Sequence, residues 1–227
     1  MFIRQDNTLK WNWIIVGALI TLACVIAGVF GGDKILYSLI HNVNCNPWSM
    51  GDNFWCGLAF FIGKVFSANV WVAASFLIVL MFFLYKAFTN ENDFRFAFVK
   101  IKNSYAFYIL CSVMLAVLTT GVLKFLIGRS RPIIYEALNA TLFVPGTSEH
   151  VFNSMPSGHA AASFAGLVMI GMLYPRIKWA TWTLAIIVGL SRVYIGAHWP
   201  SDVIFGAFIG MVCADIVKSV LKKINSK

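Results

Sequence analysis

Charged side chains make up only 12% of this 227-residue chain, while hydrophobic ones make up 59%. A soluble domain carries roughly 25% charged residues, so the shortage excludes a surface solvated mainly by water. Lipid must cover much of it. Acidic residues are the scarcer sign: nine Asp and Glu against eighteen Lys and Arg, a formal net charge of +9. In a soluble protein that balance would point to nucleic acid. Here no basic run interleaves with polar loop sequence, and the cations lie between apolar stretches and at the chain's end, as topology signals do. Internal repeats, low-complexity tracts and soluble-domain linkers are absent too, and no Cys/His spacing resembles a zinc site.

What is present is a series of apolar segments at about 11–31, 65–88, 104–127, 159–175, 179–197 and 202–220. Each is long enough, or nearly so, to cross a hydrocarbon core as a helix. The expected fold is all-α: a polytopic membrane protein forming a six-transmembrane-helix bundle, with residues 1–227 as one membrane-embedded domain. The fourth segment is short, but Ala160, Ala161, Ala162, Ser163, Ala165 and Gly166 suit close packing inside a bundle. Arg4 and Lys10 before the first segment resemble a secretory signal, and Leu22-Ala23-Cys24 resembles a lipoprotein cleavage site. The apolar run continues through Phe30, which favours a retained span.

With both termini inside, twelve of the eighteen Lys and Arg fall on inner segments, the bias that orients membrane proteins. The six outer ones are Lys34, Lys64, Lys124, Arg129, Arg131 and Arg192. Four of these cluster at the ends of the third and fifth spans and ask for another explanation. In the outer loop at about 32–64, Asp33 to Ile40 has near-helical apolar spacing, and Trp48, Phe54 and Trp55 follow. That pattern predicts an interfacial helix and aromatic belt, or a rim that guides a lipid headgroup. Cys24, Cys111 and Cys213 lie in expected spans as packing residues. Cys45 and Cys56 share the outer loop, where an oxidising compartment permits a disulfide; sequence leaves paired and free thiols equally open.

Three polar clusters stand at the expected outer ends of spans: Lys124-x6-Arg131-Pro132, Pro156-Ser157-Gly158-His159, and Ser191-Arg192-x5-His198-x3-Asp202. Hydropathy and charge alone put all three on one membrane face. Lys124, Arg131 and Arg192 offer cationic donors, and guanidinium forks suit phosphate oxygens. Ser157 and Gly158 precede a helix whose first amides and positive dipole end can hold an anion. His159 and His198 supply imidazoles for nucleophilic and acid–base work near neutral pH. Asp202 lies one helical turn after His198, with Pro200 favouring a helix start. It is placed to accept a hydrogen bond from the ring and fix the tautomer. Singly, Lys124 and Arg131 read as interfacial anchors, Ser157-Gly158 as a helix cap, and His198 with Asp202 as a structural pair. Together they read as a phosphate site. His41 and His150 have no such company and read as loop residues; Glu136 and Glu149, in the outer loop between the first two motifs, read as solvated, with a part in substrate choice as the alternative.

These motifs resemble those of the type 2 phosphatidic acid phosphatase superfamily, over about 124–202 and with every defining position filled. The six-span layout is similar to that family's membrane branch. The resemblance implies catalytic roles for His198 as nucleophile forming a phosphohistidine, Asp202 as its orienting partner, and His159 as the acid and base. It implies phosphate binding by Lys124, Arg131, Ser157, Gly158 and Arg192, no metal or other cofactor, and turnover that survives a chelator. The expected function is hydrolysis of a lipid phosphomonoester or lipid pyrophosphate in a bacterial cytoplasmic membrane, with the site facing the periplasm or cell exterior. The expected partners are the bilayer and its lipid phosphate, not nucleic acid. The alternative is a phosphotransferase that passes the group to another lipid. A transporter without covalent chemistry fits less well, because transporters place ionisable groups near mid-membrane. The choice of lipid and the oligomeric state are not legible.

Overall fold

The computed structural model describes residues 8–45, 53–88 and 104–225. Trp48 of the aromatic group and Arg4, Arg95, Lys100, Lys102 and Lys227 of the charge count lie outside them. Among the described residues the regular elements are all helices; bridge residues occur at Leu9 and between Arg129 and Phe143, with no strand. The helices are α1 (Trp11–Ala27), α2 (Asp33–Ile40), α3 (Phe54–Val65), α4 (Ala68–Phe88), α5 (Tyr105–Ile127), α6 (Pro132–Leu138), α7 (Gly158–Leu173), α8 (Lys178–Tyr194) and α9 (Pro200–Asn225).

Two boundaries differ from the sequence reading. The first span does not end near residue 31: a π-turn over Gly28–Gly32 joins α1 to α2, with the kink at Gly31 (φ 128°). Only glycine adopts that angle without strain. The stretch before the second span is a separate helix, α3, whose first turn is capped by the Asn53 side chain accepting from the Trp55 amide at 3.0 Å.

Among the described residues four helices are long and apolar enough to cross a membrane: Trp11–Ile40, Ala68–Tyr85, Tyr105–Ile127 and Pro200–Ile224. The chain is therefore an integral membrane protein. The other two expected spans form α7 and α8, of 16 and 17 residues. At ~1.5 Å per residue they reach about 24–26 Å, short of a ~30 Å core if upright.

Helix α7 is the centre of the packing, flanked by α4, α5, α8 and α9. Eleven of its sixteen residues are buried, including the expected small ones. Ala161, Ala162 and Ala165 meet Val113 and Ala116 of α5 and Ile209 and Cys213 of α9. The α7–α9 contact is closer still. A Cβ on Gly206 would overlap the Ser157 carbonyl, and one on Gly210 the Ala161 carbonyl. Small residues four apart let two backbones touch, the usual device for helix association where lipid removes any hydrophobic drive. The N-termini of α7 and α9 are thereby set side by side, and the Ser157 amide donates to the Asp202 carbonyl at 2.9 Å.

Candidate active site

The three motifs converge where α5 ends and α7 and α9 begin. Helix α5 stops at Gly128, which is left-handed (φ 61°), and a Cβ there would also overlap the Val144 carbonyl. One turn before, Lys124 Nζ donates to the Asn153 carbonyl at 2.5 Å, and its Cε would lie 3.8 Å from a Cβ on Gly158. Just after the stop, Arg131 donates through Nη1 to the Ala197 carbonyl at 2.8 Å and through Nε to the His150 carbonyl at 2.9 Å. Its Nη2 reaches 3.5 Å from the same Asn153 carbonyl that Lys124 uses. Burial pushes the Arg131 pKa down to about 10, while Asp202 pulls it back up, so the guanidinium stays charged at neutral pH.

The second motif opens α7. Ser157 Oγ accepts from the Ala160 amide at 3.4 Å, so the side chain is a helix cap, and Gly158 and His159 form the first turn. The His159 ring lies beside the backbone of Gly63. That glycine also makes room for Arg192, since a Cβ there would overlap the guanidinium. Arg192 Nη2 donates to the Ala59 carbonyl and Nε to Ser191 Oγ at 3.1 Å. Helix α3, read from sequence only as belt and loop, is thus the platform on which Arg192 and His159 meet.

His198 sits in the α8–α9 turn, held by its amide donating to the Arg192 carbonyl at 3.3 Å. It is 3% exposed. Burial pushes its pKa well below the ordinary imidazole range, and Arg131, Lys124, His159 and Arg192 push in the same direction. The ring is therefore neutral near pH 7, with a lone pair free to attack. The same field places both histidines and all three cations within electrostatic reach of one another.

Asp202 does lie next to His198, but its bonding differs from the expectation. Its Oδ2 is 3.8 Å from His198 Nδ1, too far for a hydrogen bond. Instead Oδ2 accepts from Ser154 Oγ at 2.5 Å and the Trp199 amide at 3.0 Å, and Oδ1 accepts from Arg129 Nη1 at 2.8 Å. Arg129, noted in the sequence only as an outer cation, is 1% exposed; its Nη2 donates to Asp33 Oδ2 at 2.7 Å. Asp33 itself is buried at the start of α2 and receives the amide and hydroxyl of Ser201. An aspartate expected on an interfacial helix therefore caps α9.

Three minor readings are corrected. His150 accepts from Arg131 Nη2 at 3.2 Å, and burial, Arg131 and Lys124 lower its pKa. His41 stacks on Tyr37 and donates through Nδ1 to the Tyr194 carbonyl at 2.9 Å. Glu136 is half exposed, yet accepts from the Tyr37 hydroxyl at 2.6 Å. Glu149 is exposed, as expected. Cys45 and Cys56 are joined by a disulfide and pack with Ala59, Ile195 and Ala197, directly beneath the His198 turn.

The protein is 36% identical over 111 residues to a lipid A 1-phosphatase of Rhizobium johnstonii, covering 47% of this chain and 46% of that protein. The chain thus spans about half the length of the lipid A 1-phosphatases it matches first. It is 26% identical to an undecaprenyl-diphosphatase of Sulfolobus acidocaldarius, over 88% of this chain and 86% of the relative. Its fold is similar to a crystal structure of a transmembrane PAP2-type phosphatidylglycerolphosphate phosphatase from Bacillus subtilis, with a TM-score of 0.62 at 21% identity, covering 93% of this chain and 96% of that one. The family model described as the PAP2 superfamily matches residues 105–226, more than half the chain and all three motifs, and the protein belongs to that superfamily.

Proposed function

We propose that the protein hydrolyses a lipid phosphomonoester or lipid diphosphate through a phosphohistidine, at the outer face of a bacterial cytoplasmic membrane. The observation that carries this reading is a buried His198 whose amide donates to the Arg192 carbonyl, next to Ala197, whose carbonyl Arg131 holds while sharing the Asn153 carbonyl with Lys124. Such a cluster suits a phosphoryl group whose charge is spread over three equatorial oxygens. Lys124, Arg131, Arg192 and the first turn at Ser157-Gly158 hold those oxygens. The His198 nitrogen remote from Asp202, Nε2, forms the bond to phosphorus. The bond from phosphorus to the lipid-side oxygen breaks, and His159 supplies the proton that oxygen needs. The negative charge of the bound phosphate beside His159 favours a ring that carries that proton. Water then attacks phosphorus while His159 takes its proton; the bond from phosphorus to Nε2 breaks, its electron pair returns to the His198 ring, and inorganic phosphate leaves. No metal enters the scheme.

In this reading α7 and α8 cross as tilted or locally short spans alongside the four longer helices, giving six. Two features favour the outer face. The inner segments carry the excess of Lys and Arg. The Cys45–Cys56 disulfide packs against the site's own loop, and disulfides persist in oxidising compartments. The named relatives support lipid phosphates and diphosphates as the substrate class.

The test is phosphate release by purified protein from a panel of lipid phosphates and diphosphates in detergent with chelator present. A labelled donor is used to trap an acid-labile phosphohistidine. Release and label are both expected to vanish in His198→Ala, a loss of roughly 10³-fold or more. Unchanged release in that variant, or release that stops with chelator, would overturn the scheme. Label recovered on an added lipid acceptor instead of free phosphate would make the enzyme a phosphotransferase.

A further inference from the structure

Arg129 is a buried charged group that the phosphate scheme does not use. It is 1% exposed and lies between two carboxylates that are themselves buried, Asp33 at 2% and Asp202 at 0%. Its Nη2 is 2.7 Å from Asp33 Oδ2, and its Nη1 is 2.8 Å from both Asp202 Oδ1 and Ser201 Oγ. The guanidinium also lies 5.3 Å from the Trp199 ring centroid. Burying three charges is costly unless each is paired, and here the pairing consumes one oxygen of Asp202. The other oxygen, Oδ2, is left on the side of His198 Nδ1, which is buried and has no hydrogen-bond partner. Asp33 comes from outside the residues matched by the family model. The first helix is tied to the chemistry through it, and a Cβ on Gly28 would collide with Asp33 Oδ2 at 2.8 Å.

We infer that Arg129, clamped by Asp33, is a positioning residue for catalysis: it fixes the rotation of the Asp202 carboxylate so that Oδ2 can accept a hydrogen bond from His198 Nδ1 and steady the ring's positive charge as Nε2 attacks phosphorus. This rests on the phosphohistidine reading above. Nothing in it requires Arg129 to touch substrate. The 3.8 Å gap closes by a small motion of the imidazole, whereas the carboxylate is held by Arg129, Ser154 and the Trp199 amide and cannot follow. A mobile carboxylate in the same place would let the ring adopt the wrong tautomer or tilt, and misplacement by about 1 Å can cost about 100-fold in rate.

Arg129→Gln alone leaves Asp33 buried and unpaired and can fail by misfolding, so the decisive variant is the double change Asp33→Asn with Arg129→Gln, which removes both charges of that pair. Steady-state kinetics on a lipid phosphate in detergent are compared with the unsubstituted protein. The expected result is a kcat lower by about 100-fold with KM within about threefold, since phosphate binding is untouched. Arg129→Lys, which keeps one positive charge but not the fork, should recover part of kcat.

A double variant whose active fraction drops while KM and per-site kcat stay as before would reduce Arg129 to a structural ion pair and overturn the inference. So would a rise in KM alone. These results are separable from failure of the underlying mechanism. In that case His198→Ala would keep its activity and no phosphohistidine would be trapped in the unsubstituted protein.

Discussion

Helices α1 and α7 are nearly the same length and both strongly apolar, yet the protein treats them as opposites. Of the seventeen residues in α1, only Ile14 and Thr21 are buried, whereas eleven of the sixteen in α7 are. The difference lies in side-chain size. Trp11, Trp13, Leu19, Ile20 and Leu22 of α1 stand more than half exposed, where acyl chains would solvate them. The α7 positions are Ala, Gly and Ser for most of its first three turns. In a bilayer, hydrophobicity does not sort helices to the inside, because lipid is as apolar as leucine; closeness of approach does. The helix made of small residues became the wall of a polar site, and the helix of large ones became its boundary with lipid.

The largest way to break this contrast is Gly210→Leu on α9. Its side chain has no room against the Ala161 carbonyl and the Ala165 amide. Overpacking of this kind costs about 1–3 kcal/mol or more. Phosphate release is expected to fall at least 100-fold as the N-termini of α7 and α9 part, with a lower melting midpoint in detergent. Next comes Gly63→Ala on α3, where the new methyl displaces the Arg192 guanidinium and crowds His159. A fall in kcat/KM of roughly 10- to 100-fold is expected, with the melting midpoint changed far less than in Gly210→Leu. Equal loss of melting and activity would mean that α3 only supports the fold.

Replacing Cys45 and Cys56 with Ser opens a loop with a sequence separation of 11. On the chain-entropy account this costs about 2–3 kcal/mol. It should also broaden the activity loss on heating, since the disulfide lies under the His198 turn. Smaller again is the effect of acid on the enclosed histidine. The folded-state pKa of His198 is depressed, while the unfolded value is near ~6.5. Above that pH the group makes no difference to stability. Below it the unfolded chain gains a proton that the folded site refuses, so stability should fall by roughly 1 kcal/mol per pH unit. The melting midpoint should drop between pH 7 and 5.5, with a shallower slope in His198→Gln. At the far end, Leu19→Ala on the lipid-facing side of α1 should change stability by no more than ~0.5 kcal/mol and activity not at all. A large effect there would mean that α1 packs on something beyond lipid.

Much of the site was legible because its parts announce themselves locally. Lys124 with Arg131, Ser157 with His159, and His198 with Asp202 each sit within eight residues of one another, at helix ends that hydropathy can find. The partners that organise them are distant. Arg129 meets Asp33 across 96 positions and Ser201 across 72, while Arg192 reaches the Ala59 carbonyl across 133. No periodicity encodes such contacts, and a carbonyl has no sequence signature. One clue was available: Arg129 sat on the outer side, against the charge rule, beside cations that already had a reading. The expected hydrogen bond from His198 to Asp202 shows the converse limit. The four-residue spacing brought the groups together correctly, but it could not count the other donors competing for the same carboxylate.

At Gly206 and Gly210 the two central helices meet through atoms that every amino acid possesses. The gap between the start of α7 and the start of α9 is therefore insensitive to which large residues line the rest of either helix. Their outward faces are free to drift with bilayer thickness or lipid composition while the distance between the two imidazole-bearing ends stays the same.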